Sequence, residues 1–225
     1  MVSVRRMLRL FFHLAWLYGA VASVWAEPTE AAILPIVYPP GITSPAIDPT
    51  VELQGAALLD ALRAGGLILF MRHAQTGDPT PECPNESGLT PIGGLQSRIV
   101  GSALRRLKLP IQPLQASETC RARDTAVQLG LGAVEVNPEL NPGSIKGRPY
   151  DYAQKFKFLM TLPPTGKNSL LVSHVHEAPV KEDRILIELA EVVVYRPRPG
   201  QRALAIARIP VAAWSTLLSP DAVVR

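Results

Sequence analysis

The chain has 225 residues, of which 47% are hydrophobic and 19% charged, the balance of a globular protein with a sizeable core. That length suits one α/β domain or two small ones. The formal charge of +4 falls to +1 if the first 26 residues are removed, so the basic balance makes no case for nucleic-acid binding, which needs clustered positive charge.

Residues 1–26 carry Arg5, Arg6 and Arg9, then an apolar stretch from Leu10 that ends in "VWA". This is the layout of a secretory signal cleaved after Ala26. The alternative is an uncleaved membrane anchor. Cleavage implies an exported, periplasmic protein with no stable membrane insertion afterwards. Residues 27–50 contain six prolines, which excludes a regular helix or central strand and leaves a linker or an arm laid over the surface. The domain proper is expected from 51 to 225.

"VELQGAALLDALRAGG" (51–66) spaces Leu53, Ala57, Leu58 and Leu62 at helical intervals before paired glycines. "LILFM" (67–71) is a continuous apolar run, as in a strand covered on both faces. Residues 90–109 read as a helix with Thr90 as N-cap and Pro91 in first position. A strand is expected at 112–117, a helix at 118–130 stopped by Gly130, and a strand at 133–136. An amphipathic helix follows at 150–162, then a buried strand, "NSLLVSH" (168–174). Residues 191–197 and 202–209 form a closing strand pair, and 210–218 a last helix. Alternating strands and helices define an α/β protein, a three-layer α/β/α sandwich with a mainly parallel central sheet.

Cys83 and Cys120 are the only cysteines. In an oxidising compartment an even count points to a disulfide; two buried free thiols are the alternative.

Four histidines occur, and His13 leaves with the signal. Of His73, His174 and His176, two end expected buried strands, where ligands bind in parallel sheets. Arg72 precedes His73. One chemistry that needs histidine and arginine at a strand edge is phosphoryl transfer. A neutral imidazole with one free nitrogen attacks phosphorus, and arginine forks bind the phosphoryl oxygens. A second reading uses the spacing of His174 and His176, which with His73 could form a three-histidine zinc or copper site. Arg72 and Arg121 would then stand beside a dication, and no metal or other cofactor is expected.

Four motifs in order resemble the histidine phosphatase superfamily, the phosphoglycerate-mutase-like proteins, over about residues 53–215. They are Arg72-His73-Ala74-Gln75-Thr76 after an apolar strand, Leu89-Thr90 followed by Gly93 and Gln96, Ser117 to Ala126 with Arg121, Ala122 and Thr125 in register, and Val172-Ser173-His174. The resemblance implies a phosphomonoesterase with His73 as the phosphorylated nucleophile. Arg72 and Arg121 would clamp the oxygens and His174 would complete the pocket. Gln75, Thr76 and His176 are expected to contact substrate.

Three departures stand out: Ala74 replaces the usual glycine, Val175 follows the second histidine, and no acid falls cleanly in register. Glu177 is the first candidate for proton donor, followed by Glu139 and Asp78. A non-catalytic phosphate-binding protein is the alternative that Ala74 and the missing acid leave open. For an exported enzyme the substrate would be a small phosphorylated molecule or a phosphorylated envelope glycan.

Overall fold

The computed structural model describes residue 47 and residues 50–142, 161–174, 187–201 and 203–219. The expected signal, nearly all of the proline-rich arm, residues 150–160 of the expected amphipathic helix, and Val175, His176 and Glu177 lie outside the described residues.

Helix α1 (Gly55–Ala64) buries Leu58, Leu59 and Leu62. Leu53 stands before it in extended chain, its N–H donating to the Ile206 carbonyl, so the helix is shorter than its leucine spacing predicts. Strand β1 (Ile68–Arg72) follows, then a hairpin of β2 (Thr76–Thr80) and β3 (Cys83–Leu89). The residues of that hairpin carry no strand signal, being polar and interrupted by Pro79 and Pro84. Helix α2 (Pro91–Arg106) starts where expected, the Thr90 hydroxyl accepting the Gly93 N–H. It ends earlier than expected because Lys108 turns left-handed, with φ 54°, just before Pro110.

Strand β4 (Ile111–Ala116), helix α3 (Cys120–Leu129) and short strand β5 (Glu135–Val136) come next, then a single 3-10 turn at Pro138–Leu140. Gly130 adopts the left-handed conformation that closes α3. Strands β6 (Asn168–Ser173), β7 (Val192–Arg196) and β8 (Leu204–Ile209) and helix α4 (Ala213–Leu217) complete the described chain. No helix among the described residues is long and apolar enough to cross a membrane.

The sheet order is β5-β4-β6-β1-β7-β8. The pairs β5·β4, β4·β6 and β6·β1 are parallel, and β7 runs antiparallel to both its neighbours. The α/β class with a mainly parallel sheet is therefore present. Side chains alternate across the sheet. Leu69, Met71, Leu170, Val172, Val192 and Val194 face a core shared with all four described helices. Ile68, Phe70, Leu171 and Val193 face a second cluster that includes Leu140 and Ile187. Each such buried side chain contributes about 2 kcal/mol from apolar area alone. Buried Asn168 ties α1 to the sheet, accepting from Leu67 N–H at 3.0 Å and donating to the Leu62 carbonyl at 2.6 Å.

Candidate active site

The site follows from the register of β1 on β6. Arg72 lies opposite Ser173, so His73 and His174 leave the same end of two adjacent parallel strands. The His73 N–H extends the ladder by donating to the Ser173 carbonyl at 2.9 Å. Neighbouring strands lie about 4.8 Å apart, and the two imidazole centroids are 5.2 Å apart at a 60° tilt. Both histidines are buried.

The His73 Nδ1 lies 2.9 Å from the Ala74 carbonyl oxygen. A carbonyl can only accept, so Nδ1 carries the proton and Nε2 keeps its lone pair. Burial first, and then the charges of Arg121 and Arg72, push the imidazole pKa down to about 4, against the opposing effect of the Ala74 bond. At neutral pH His73 is therefore uncharged and has a fixed tautomer. The Arg72 guanidinium is anchored by an Nη1–H bond to the Ile187 carbonyl, 2.9 Å. Arg121, at the second position of α3, is half-buried, and its guanidinium forms no hydrogen bond with a described residue. Burial pushes its pKa down while the Glu86 carboxylate holds it up.

His174 Nε2 shares a 2.8 Å hydrogen bond with the Ser117 hydroxyl and stands 3.4 Å from that of Thr119. Ser117 follows β4, the other neighbour of β6, so three parallel strands converge on one imidazole.

The loop after His73 is fixed on every side. The Ala74 N–H donates to the Thr125 hydroxyl at 3.0 Å, and that hydroxyl donates to the Arg121 carbonyl at 2.7 Å. One side chain thus joins the His73 loop to the turn that bears Arg121. The Gln75 N–H donates to Gln96 Oε1 at 2.9 Å, and Gln75 Oε1 accepts from the Thr90 hydroxyl at 2.8 Å. Gly93 approaches the Gln75 carbonyl so closely that a Cβ there would collide with it. The Leu-Thr…Gly…Gln motif is therefore the cradle of the His73 loop.

Of the residues expected at the site, His73, Arg72, Arg121 and His174 are brought together. Gln75 is committed to the start of α2, and Thr76 opens β2 opposite Leu89. Ala74 is fully buried in the main core and is absent from the positive-φ residues, so its methyl group packs inward and strains nothing. Asp78 and Glu139 are exposed; among the described residues neither contacts His73, Arg72, Arg121 or His174. The expected disulfide joins Cys83 to Cys120 and pins the hairpin to the first residue of α3. The residue that sequence reasoning missed here is Glu86, whose Oε2 accepts the Cys120 N–H at 2.9 Å. Only the hairpin brings it there. Also missed was buried Glu191, which pairs with Arg208 through two 2.6 Å bonds while its carbonyl accepts the Arg72 N–H.

No protein-family model and no curated protein sequence matches the chain. Among solved structures, the chain is similar to the protein histidine phosphatase SixA complexed with tungstate, with a TM-score of 0.50 and 17% identity, over 65% of this chain and 97% of that one. A Nakamurella multipartitia protein assigned as a phosphohistidine phosphatase SixA gives 0.47 at 19% identity, covering 64% and 94%. A protein of Thermus thermophilus gives 0.41 at 21%, covering 62% and 99%. The first of these, together with the sheet order and the site geometry, shows the fold. The chain has a phosphoglycerate-mutase-like α/β fold.

Proposed function

We propose that the protein is an exported phosphomonoesterase that works through a phosphohistidine at His73. The observation that carries this reading is the state of that imidazole: neutral, tautomer-fixed by Ala74, and beside two arginine charges. A phosphomonoester dianion binds against Arg72 and Arg121, whose charge balances the transferring phosphoryl oxygens. The His73 Nε2 attacks phosphorus in line. The N–P bond forms as the bond to the leaving oxygen breaks, and that oxygen takes a proton. His174, held by Ser117, borders the same phosphoryl group. Water then attacks the phosphohistidine from the vacated side, releasing inorganic phosphate and restoring neutral His73. Positioning and electrostatics account for most of such a reaction.

Glu177 remains the proposed proton donor. It is two residues beyond Val175 and three beyond His174. His176 and Thr76 are proposed to contact the substrate. Export is supported by the charge and apolar layout of residues 1–26 and by the disulfide. In that compartment the substrate would be a small phosphorylated molecule or a phosphorylated envelope glycan. The inward packing of Ala74 removes one reason for a merely phosphate-binding protein.

The test is turnover of an aryl phosphate by wild type and His73→Ala, with rapid acid-free quenching to trap the phosphoenzyme. Turnover and a trapped phosphohistidine, both lost in the variant, are expected. Folded wild-type protein with neither would overturn the proposal in favour of a phosphate-binding role.

A further inference from the structure

One peptide group beside Arg72 is held at both of its ends. Its carbonyl, that of Ile187, accepts the Arg72 Nη1–H at 2.9 Å. Its amide is the Glu188 N–H, which donates to Glu191 Oε2 at 2.6 Å. The peptide is trans, so its N–H and C=O point opposite ways in one plane. Carboxylate, peptide and guanidinium therefore form a continuous chain of hydrogen bonds. Glu191 is 2% exposed, and its carboxylate is fixed from β8 by the Arg208 Nε–H and Nη2–H, both at 2.6 Å. The same turn is tied to the end of β1. The Ala190 N–H donates to the His73 carbonyl at 3.3 Å, and the Arg72 N–H to the Glu191 carbonyl at 3.2 Å. Ala190 sits at φ 60°, a left-handed conformation that a non-glycine residue keeps only where its surroundings impose it.

We propose that Glu191 is a positioning residue for the phosphoryl site: through the Ile187–Glu188 peptide it aims the Arg72 guanidinium, with Arg208 as its counterion. This rests on the reading of His73 and its arginines as a phosphoryl site. An arginine side chain has many rotamers, and its planar fork grips an oxyanion only in a matching orientation. A carbonyl can hold that fork only if the carbonyl itself cannot turn. Rotation of the peptide plane would swing the Ile187 oxygen away from Arg72, and the bond from Glu188 to Glu191 opposes it. The carboxylate also polarises the peptide, which makes the Ile187 oxygen a stronger acceptor. Holding the fork before the ligand arrives lowers the cost of binding. Fold stability alone does not call for this arrangement, because a buried ion pair adds little over apolar residues of similar volume.

Calorimetric titration with tungstate, a phosphate mimic, tests the proposal in two double variants. Both carry Arg208→Met, so that neither strands a charge. Glu191→Leu then removes the acceptor for the Glu188 N–H, whereas Glu191→Gln retains an oxygen for it. The leucine variant is expected to raise the tungstate Kd about tenfold and the glutamine variant to stay within about twofold of wild type, in the range for coupled neighbouring residues. In an Arg72→Gln background, titrated to its own saturation, the two should bind alike. Equal Kd values for the leucine and glutamine variants would overturn the proposal. So would a difference that survives in the Arg72→Gln background, since Glu191 would then not act through Arg72. Should either double variant fail to fold, the amide resonances of the wild-type protein decide. Saturation with tungstate should shift the Glu188 N–H, whose peptide bears on Arg72, and an unmoved resonance would overturn the proposal. Wild-type protein that fails to bind tungstate would overturn the phosphoryl site itself, a different result from a bound wild type with an indifferent leucine variant.

Discussion

Gly93 packs its Cα against the carbonyl of Gln75, with no room for a side chain between them. The contact locks the first turn of α2 onto the loop that leaves His73. Gly93→Ala should therefore displace the loop or the helix. We expect a loss of about 2 kcal/mol in denaturant unfolding, typical of overpacking, and a fall in aryl phosphatase activity larger than that loss explains. Gly94→Ala is the comparison, since its Cβ would meet only the flexible end of Arg98. Equal behaviour of the two variants would contradict the cradle role.

The pKa of His73 predicts how stability changes with pH. The group sits at about 4 in the folded chain against 6.5 as a free side chain, chiefly through burial. Between those values the unfolded chain holds more protons than the folded one, so stability rises with pH across that window and is lost as pH falls from 6.5 towards 4. The full contribution is roughly 3 kcal/mol. His73→Asn keeps a donor for the Ala74 carbonyl and cannot titrate. Chemical denaturation at pH 7.5 and 5 should show wild type losing more stability than the variant. Parallel profiles would mean that His73 is not held neutral by burial. Activity should likewise persist to about pH 5 if His73 is the nucleophile proposed above, because its imidazole remains unprotonated there.

Ser117 is the anchor of His174, 2.8 Å from its Nε2. Ser117→Ala removes the shorter of the two hydroxyl contacts to that buried imidazole nitrogen among the described residues, the other being the 3.4 Å approach of Thr119. The expected cost is about 1 kcal/mol of stability and about a tenfold loss of kcat/KM through misorientation of His174. Ser117→Thr, which retains the hydroxyl, should recover most of it. Full activity in the alanine variant would show that His174 needs no such anchor.

The Cys83–Cys120 bridge spans 37 residues, a loop whose closure is worth about 4 kcal/mol in the chain-entropy model. Reduction, or Cys83→Ser with Cys120→Ser, should lower the urea midpoint by a matching amount and leave the sheet intact. Thiol titration of the unreduced, unfolded protein should find no free sulfhydryl; two would refute the bridge.

Glu191 is buried and joined to Arg208 by two 2.6 Å bonds, and it also accepts the Glu188 N–H. Arg208→Met would strand a buried carboxylate at a cost of about 3 kcal/mol. Because the Glu191 carbonyl takes the Arg72 N–H, activity should fall as well. Replacing both charges, Glu191→Leu with Arg208→Met, should recover much of the stability.

The residues themselves determined the parts of this protein that depend on short-range physics. "LILFM" and "NSLLVS" are apolar runs that can only be covered on both faces, and they are adjacent parallel strands. Thr90 and Pro91 open α2, and Gly130 closes α3, because capping is settled within a few residues. The order of the arginine, histidine and serine motifs named the fold class and gathered His73, Arg72, Arg121 and His174.

Tertiary structure alone decided the rest. The β2–β3 hairpin has no periodic apolar face, since its strands are held by a disulfide and by contact with α3. The reach of Glu86 to Cys120, the bond from Thr125 to Ala74, the seating of Gln75 on Gly93 and the Glu191–Arg208 pair all join residues well apart in the chain. None leaves a periodicity to read. Ala74 shows the difference at a single residue: in the sequence it stands where a glycine is usual, and only packing reveals that its methyl group points into the core. Local propensity is written in neighbouring residues, whereas these contacts exist only once the strands have brought distant segments together.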